Sequence, residues 1–376
     1  MPSFIAPSTR QLVRAATLVM AFFFLSRVTG LIREMVVGAR FGTSADLDAY
    51  LAAFRVPDLL FQLMAGGALG SAFIPVFTGL LARRELDAAW RLLSAALNLV
   101  LALMTAFAAL AALAAPFLVS QLLAPGFSPA QQALTVSLMR WMLVSTVVFG
   151  LSGIMMAALN SFQHFLLPAL APVLYNLSII AGAWFLAPTI GVYGLVIGVV
   201  VGAFLHLDSQ IIGLWWHRAR YRMTFGLADP HVRETARLMG PRVLGLAAVQ
   251  INFWVNTLLA SGLAAGSLSA LNYAWLLMLL PEGIVALAVA TAAFPTFAAL
   301  EAQGRPGELR RIVSQTLRGV LFLAIPAAVG LYAWRVPLIR LLLERGAFTA
   351  TSTQLTATAL AFYAFGLIGH SVVEIV

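Results

Sequence analysis

The residues whose types and spacing could do chemistry cluster early, in "FLSRVTGLIREMVVGARFG" (24–42) and the helix that follows. Arg27, Arg33, Glu34 and Arg40 stand where an apolar run would place lipid tails, and Asp48, Arg55 and Gln62 follow at seven-residue intervals. An ionisable side chain at bilayer depth costs at least about 2.5–3.5 kcal/mol, so such residues face a protein interior or a wet cavity. Seven-residue spacing drifts by only about 20° per step on a helix, which puts Asp48, Arg55 and Gln62 on one face. Pro57 removes a backbone hydrogen bond within that stretch and is expected to kink it. Gly30, beside Arg27, permits local unwinding or close packing. The pattern reads as a polar cavity wall with helix breaks at Gly30, Pro57 and, farther on, Pro281. A plainer reading exists for several members: Arg55 and Asp58 are three apart and could pair, and Arg33 and Arg40 could place their heads in interfacial water. Arg242 and Glu282 are further candidates for the same lining, as are Arg140 and Asp208. Arg242 follows Gly240-Pro241, a pattern that also marks a helix start.

Other chemistry is nearly absent. The five histidines form no HExxH or i,i+4 metal pair, and no P-loop or nucleophile elbow occurs. There is no cysteine for a disulfide, thiolate site or nucleophile. Asp46 and Asp48 are the nearest thing to paired carboxylates, and they read more simply as charges favoured at a helix N-terminus. No catalytic residue, metal or cofactor is expected, and a transporter without its own ATPase fits better than an enzyme.

The elements that must position these residues are membrane spans. Of 376 residues, 61% are hydrophobic and 10% charged, with a mean hydropathy of +0.95. Soluble domains carry roughly 25% charged residues, so the composition indicates an all-α polytopic membrane protein. Spans of about 20 apolar residues are expected at about 12–32, 46–80, 92–123, 133–158, 164–187, 191–216, 236–262, 268–299, 312–343 and 351–376. The first lacks a cleavage pattern and reads as retained. All 23 basic residues are arginine, the net charge is +9, and most of the arginines sit in short loops between apolar runs. That is a topology signal rather than a nucleic-acid footprint. With the amino terminus cytoplasmic, Arg10, Arg14, Arg83, Arg84, Arg91, Arg218, Arg220, Arg222, Arg233, Arg237, Arg305, Arg310, Arg311 and Arg318 lie inside. Only Arg33, Arg40 and Arg345 lie opposite.

Sliding the chain by 220 residues lays "GSAFIPVFTGLLARRELDAAWRLLS" (70–94) over "ATAAFPTFAALEAQGRPGELRRIVS" (290–314) and Gly126 over Gly346. Six helices per unit would give two units of like orientation. The expected division is a first lobe at 1–220 with helices 1–6 and an incomplete second lobe at 221–376 with helices 7–10. Two full units need about 440 residues on repeat logic, so the chain reads as cut short in its tenth helix.

At this point the motifs have a recognisable shape. "FLSRVTGLIREMVVGARFGTSADLDAYLAAFRVPDLL" followed by "GGALGSAFIPVF" resembles the opening of the MurJ (MviN) flippase family, within the multidrug/oligosaccharidyl-lipid/polysaccharide (MOP) exporter superfamily. Similar stretches continue at "LAPGF" (123–127), "ALNSFQHFLLPALAPVLYNLSII" (158–180), "LMGPRVLG" (238–245) and "ERGAFTATS" (344–352). The resemblance implies a two-lobed, V-shaped bundle of fourteen helices, of which about ten are present. It also implies alternating access, with a cationic cavity for a lipid-linked oligosaccharide of the undecaprenyl-pyrophosphate type. Implied surroundings are the lipids of the bacterial inner membrane and cell-wall synthesis proteins. By position, Arg27 and Arg33 match the two arginines of the family's first helix, and Glu34 replaces its usual aspartate. Asp48 matches the acid opening the second helix, and Arg55 a basic residue there. Guanidinium groups suit pyrophosphate oxygens. Phe61, Gly66 and Leu276 stand where the family commonly carries charge. Alternatives at this stage are a divergent exporter of another polyprenyl-linked glycan or a cationic drug, a membrane polyprenyl-phosphate transferase, and a non-autonomous fragment.

Overall fold

The computed structural model describes residues 9–62 and 68–375, and every regular element among them is helical. In order these are α1 (Thr9–Phe41), α2 (Ala45–Phe61), α3 (Ala68–Ala82), α4 (Leu86–Phe117), α5 (Pro129–Ser161) and α6 (Leu166–Ala181). Then come α7 (Ala187–Ile190), α8 (Tyr193–Trp216), α9 (Pro230–Ser261), α10 (Ser267–Ala302), α11 (Pro306–Leu342) and α12 (Ala350–Val373). Wider turns at Leu118–Leu123 and Gly182–Leu186 extend α4 and α6. Local chemistry sets several starts. Ser128 accepts a hydrogen bond from the Gln131 N–H ahead of Pro129, and Asp229 accepts one from the His231 N–H ahead of Pro230. Each is a side-chain cap followed by proline at the first helical position.

Where the residues are described, the expected spans fall on helix; 63–67, within the second, and 376 lie outside the described residues. The second falls on two helices, α2 and α3. Contrary to the expected break, α2 runs on through Pro57, which is buried and keeps its carbonyl in contact with the Thr146 hydroxyl at 3.5 Å. A proline costs a helix one hydrogen bond, here the one that the Ala53 carbonyl would accept from residue 57, and α2 stays continuous without it. In α10 the segments Ser267–Gly283 and Ala288–Ala302 meet at 52°, just past Pro281. Among the described residues six helices are long and apolar enough to cross a membrane, seven with this bent pair. Large apolar side chains such as Phe24, Leu113, Trp184, Phe185 and Phe322 point outward, as lipid-facing surfaces require. The chain is a multi-pass membrane protein.

The described helices divide into two compact units. The first comprises α1 as far as Val37 together with Ala45–Leu263; the second comprises Gly38–Ser44 and the chain from Ala264. The expected boundary near residue 220 thus differs from the observed one. The displaced element is α9, which packs on α3 and α4 and contributes Val232 to a core that includes Phe73, Phe77 and Trp90.

In the first unit, α8 approaches α6 through Gly194, Gly198 and Gly202. A β-carbon on Gly198 would lie 2.8 Å from the Ser178 carbonyl oxygen, and one on Gly202 would lie 2.7 Å from the Tyr175 ring. Small residues at four-residue spacing allow this backbone contact, and it fixes the face of α6 that bears Tyr175 and Asn176. In the second unit α10, α11 and α12 pack around Met278, Ala328 and Leu367 at one level and Ala286, Val320 and Ile375 at another.

The two units share a detail. Gly126 abuts the end of α9, where its β-carbon would be 2.4 Å from the Ser261 carbonyl oxygen. Gly346, at φ +58°, abuts the end of α1, where its β-carbon would be 2.3 Å from the Ala39 carbonyl oxygen. The glycines are 220 residues apart and their partners 222 (346 − 126 and 261 − 39), close to the repeat read in the sequence.

Candidate functional site

The polar residues of α1 and α2 gather inside the first unit. Arg33 donates from Nε (3.1 Å) and Nη2 (2.5 Å) to Glu34 Oε1 and from Nη1 to Asn176 Oδ1 at 3.0 Å. Its side chain is 27% exposed and that of Glu34 14%, so the pair is enclosed by protein and held in one geometry. Asn176 in turn donates to the Ser26 carbonyl at 3.3 Å and lies 3.4 Å from the Thr29 hydroxyl. Thr29 closes the network by donating to Leu25 and Ser26 carbonyls. Gly30 sits beside this cluster, with room for a β-carbon 3.6 Å from Asn176 Nδ2. It is a close-packing position within continuous helix, not a break.

On α2, Asp48 is buried in the first turn, where the helix dipole favours its charge. Arg55 donates from Nε to the Thr257 hydroxyl at 2.8 Å, and its guanidinium lies 5.4 Å from the Phe253 ring centre, both on α9. Asp58, one turn on, feels the Arg55 charge and is hydrogen-bonded by Gln62. Tyr50 and Tyr175 stand within electrostatic reach of Arg33 and Glu34. Behind them Phe149 packs edge-on against Tyr175, Phe61 and His206, whose Nδ1 meets the Ser152 hydroxyl at 2.6 Å.

The charges therefore balance locally: Glu34 engages Arg33 and Asp58 offsets Arg55. Arg27, two turns before Arg33 on α1, is exposed and has no hydrogen-bond or ion-pair partner among the described residues. Buried ion pairs hold geometry rather than add much stability, and Arg27, next in sequence to Ser26 of this network, stays exposed and uncommitted. Such an arrangement can hold a phosphate-type anion.

Other expected lining residues lie elsewhere. Glu282 belongs to the second unit, buried and paired with His370. Arg242 is on α9, but its side chain lies outside the described part of the structure. Sequence reading missed Tyr175 and Asn176, whose signal was a Tyr-Asn pair inside a proline-containing apolar helix, and Thr257, which carried none. Among the described residues no cluster of three or more His, Asp or Glu could hold a metal ion.

Comparison with known proteins decides the family. The family model described as lipid II flippase MurJ matches residues 37–376. The lipid II flippase MurJ of Burkholderia cenocepacia is 33% identical over 97% of this chain and 72% of its own length. The chain belongs to the MurJ family. A probable MurJ of Rhizobium tropici is 32% identical over 91% of this chain, which spans 65% of that relative. A solved lipid II flippase MurJ in an inward closed conformation superposes with a TM-score of 0.81 at 29% identity, covering 96% of this chain and 74% of that one. An inward-facing multidrug MATE transporter of the MOP superfamily shares the fold at TM-score 0.71 and 13% identity. Of the three uncharged positions singled out by the resemblance, Phe61 is packed on Phe149 and Leu276 is half-buried on α10, while Gly66 lies outside the described residues.

Proposed function

We propose that this chain works as a MurJ-type flippase, carrying lipid II from the cytoplasmic to the outer leaflet of the bacterial inner membrane by alternating access, with its amino terminus cytoplasmic. The observation that carries the reading is the family match over residues 37–376 together with the uncommitted Arg27 beside the Arg33–Glu34–Asn176 cluster. Arg27 is the primary contact for a pyrophosphate oxygen. Arg33, its three nitrogens already engaged, fixes the potential and the shape of the wall. Arg55 and Asp48 extend the polar surface along α2, with Gln62 at its end. No bond is made or broken, so the work required is binding and release of an anionic headgroup, and the site needs no acid, base or metal for it.

The test is complementation in cells depleted of their own lipid II flippase. Expression of this chain restores growth, and Arg27→Ala at equal membrane abundance does not, since a charge-assisted contact of about 1.5–3 kcal/mol is at least a tenfold loss of affinity. Growth restored equally by Arg27→Ala removes the anion-site assignment; failure both of the unsubstituted chain and of a version extended to the length of its relatives removes lipid II as its cargo.

A further inference from the structure

The connection from α8 to α9 is a strap that the polar cluster of α1 and α2 does not use. Residues 219–226 are extended, between turns at 217–218 and 227–228, and side chains of α4 hold them in place. The Arg222 N–H donates to Ser94 Oγ at 3.0 Å, Asn98 Nδ2 donates to the Thr224 carbonyl at 2.8 Å, and the Tyr221 hydroxyl donates to Asn98 Oδ1 at 2.6 Å. Gly226 closes on the same helix at φ +57°, where a β-carbon would lie 2.9 Å from that of Ala95. Held in this way, the strap presents large apolar side chains at every second position: Tyr221, Met223, Phe225 and Leu227 are all exposed, and Met223 is 90% exposed. Successive side chains of an extended segment point to opposite sides, and the tethers to α4 keep this row from turning inward.

Two helices fix the level of the row. After Leu86 at its start, the outward-facing large apolar residues of α4 begin at Leu101 and continue to Phe117. Asn98 lies three residues before Leu101, about 4.5 Å along the axis. α8 carries exposed Ile211, Ile212 and Trp215 up to its last residue, Trp216, just ahead of the strap. Tryptophans at a span end mark the membrane–water boundary. Charge adds an independent signature. Arg220 Nη1 and Arg222 Nη2 lie 3.9 and 3.7 Å from the same Asp87 oxygen, and all three side chains are exposed, so one carboxylate faces two guanidinium groups through water. Arg218, at φ +54°, and Arg91, one turn after Asp87, are exposed and have no hydrogen-bond or ion-pair partner among the described residues. The nearby acids do not restore the balance: Asp229 accepts from the His231 N–H at the start of α9, and Glu85 stands beside Arg83 and Arg84.

We propose that residues 218–227 form a membrane-surface anchor that binds anionic phospholipid, the apolar row seated between headgroups and acyl chains and the arginines on the phosphates. The row sets the depth, as amphipathic interfacial segments do, and the arginines set the preference for negative headgroups. Guanidinium groups stay charged at any working pH and fit phosphate oxygens in pairs, and a basic segment at an anionic surface gains an attraction that salt weakens. A docking protein could cover the same row, but its level beside Leu101 and the tryptophan pair favours lipid. With the amino terminus cytoplasmic, as proposed above, the leaflet is the cytoplasmic one; the binding depends neither on that orientation nor on lipid II as cargo.

The chain contains no cysteine, so Met223→Cys offers a single site for a nitroxide label. Electron paramagnetic resonance reads the label's collisions with oxygen, which enters the acyl region, and with a polar nickel chelate, which stays in water. The labelled full chain is measured in nanodiscs of phosphatidylcholine alone and with phosphatidylglycerol added, and Gln303→Cys, in the exposed turn after α10, serves as the water-facing reference. Phosphatidylglycerol is expected to raise the oxygen-to-nickel ratio at position 223 and leave it unaltered at 303. With Arg218→Gln, Arg220→Gln and Arg222→Gln combined, the rise is expected to be lost while far-ultraviolet circular dichroism stays the same. A label at 223 as open to the nickel chelate as one at 303 in both lipids overturns the proposal and marks the row as a protein-docking surface instead. A rise that survives the triple substitution, or a ratio that is high but indifferent to phosphatidylglycerol, overturns the assignment of the arginines to anionic headgroups.

Discussion

Replacing Gly346 by alanine tests the seat of the α1 end. The residue has φ +58°, a region that costs an L-residue roughly 1–2 kcal/mol. Its new β-carbon would be 2.3 Å from the Ala39 carbonyl oxygen, so one backbone must move by at least 0.7 Å to reach even 3.0 Å (3.0 − 2.3). The contact is not with a flexible side-chain tip. That same oxygen accepts a hydrogen bond from the Ala347 N–H at 2.8 Å, and the shift strains it as well. Overpacking of this kind costs about 1–3 kcal/mol, which with the backbone term makes about 2–5 kcal/mol. Gly126→Ala meets the Ser261 carbonyl at 2.4 Å without the positive φ, so its cost is the packing part alone, about 1–3 kcal/mol. Gly319→Ala, exposed within α11 with nothing inside 4 Å of its β-carbon, serves as the control and is expected to stabilise by about 0.5–1 kcal/mol. The assay is detergent-driven unfolding followed by circular dichroism, all three variants in parallel. If Gly346→Ala unfolds at the same midpoint as Gly319→Ala, the seating argument is refuted.

Asn176→Ala removes the acceptor of Arg33 Nη1 and the tie to Ser26; a loss of about 1.5–3 kcal/mol in unfolding free energy is expected, and a neutral result would show the network to be incidental. Stability should also depend on pH through His164 and His217, which lie outside the spans with rings 5.5 Å apart and both Nε2 atoms buried without partners. Burial lowers the pKa of both, and for His217 the neighbouring His164 adds to the effect. The folded state then binds fewer protons than the unfolded chain below the ordinary value of 6.5, so stability falls as pH drops through that value. The unfolding midpoint measured from pH 7.5 to 5 should decline in the parent and decline less in the His164→Phe, His217→Phe double variant.

Much of this architecture was legible from pattern alone. Runs of apolar residues gave the helices because a bilayer demands both length and internal hydrogen bonding, and neither depends on tertiary contacts. The division into units was not legible in the same way. Whether α9 joins the helices before it or after it is decided by Val232, Phe253 and Thr257 meeting particular partners, and no periodicity records that. The same limit applied at the site. Depth argued that Arg27, Arg33 and Arg55 must be accommodated, and Arg55 with Asp58 was open as a pair from spacing. That Arg33 is engaged by its sequence neighbour Glu34 and by Asn176, 143 residues away, depends on rotamers and on how closely α8 lets α6 stand. Pro57 likewise signalled a break that a continuous α2 absorbs.

The seating of residues 38–44 has a consequence for biogenesis. This short stretch leaves the ribosome about three hundred residues before Gly346, Ala347 and Ser352, against which Ala39, Gly42 and Thr43 finally rest. During synthesis the tip of the first helix must wait, inserted but unclasped, until α11 and α12 have followed it into the bilayer. Loop closure over such a separation is slow, which makes the arrival of that late turn the step that completes a piece of the protein begun almost first.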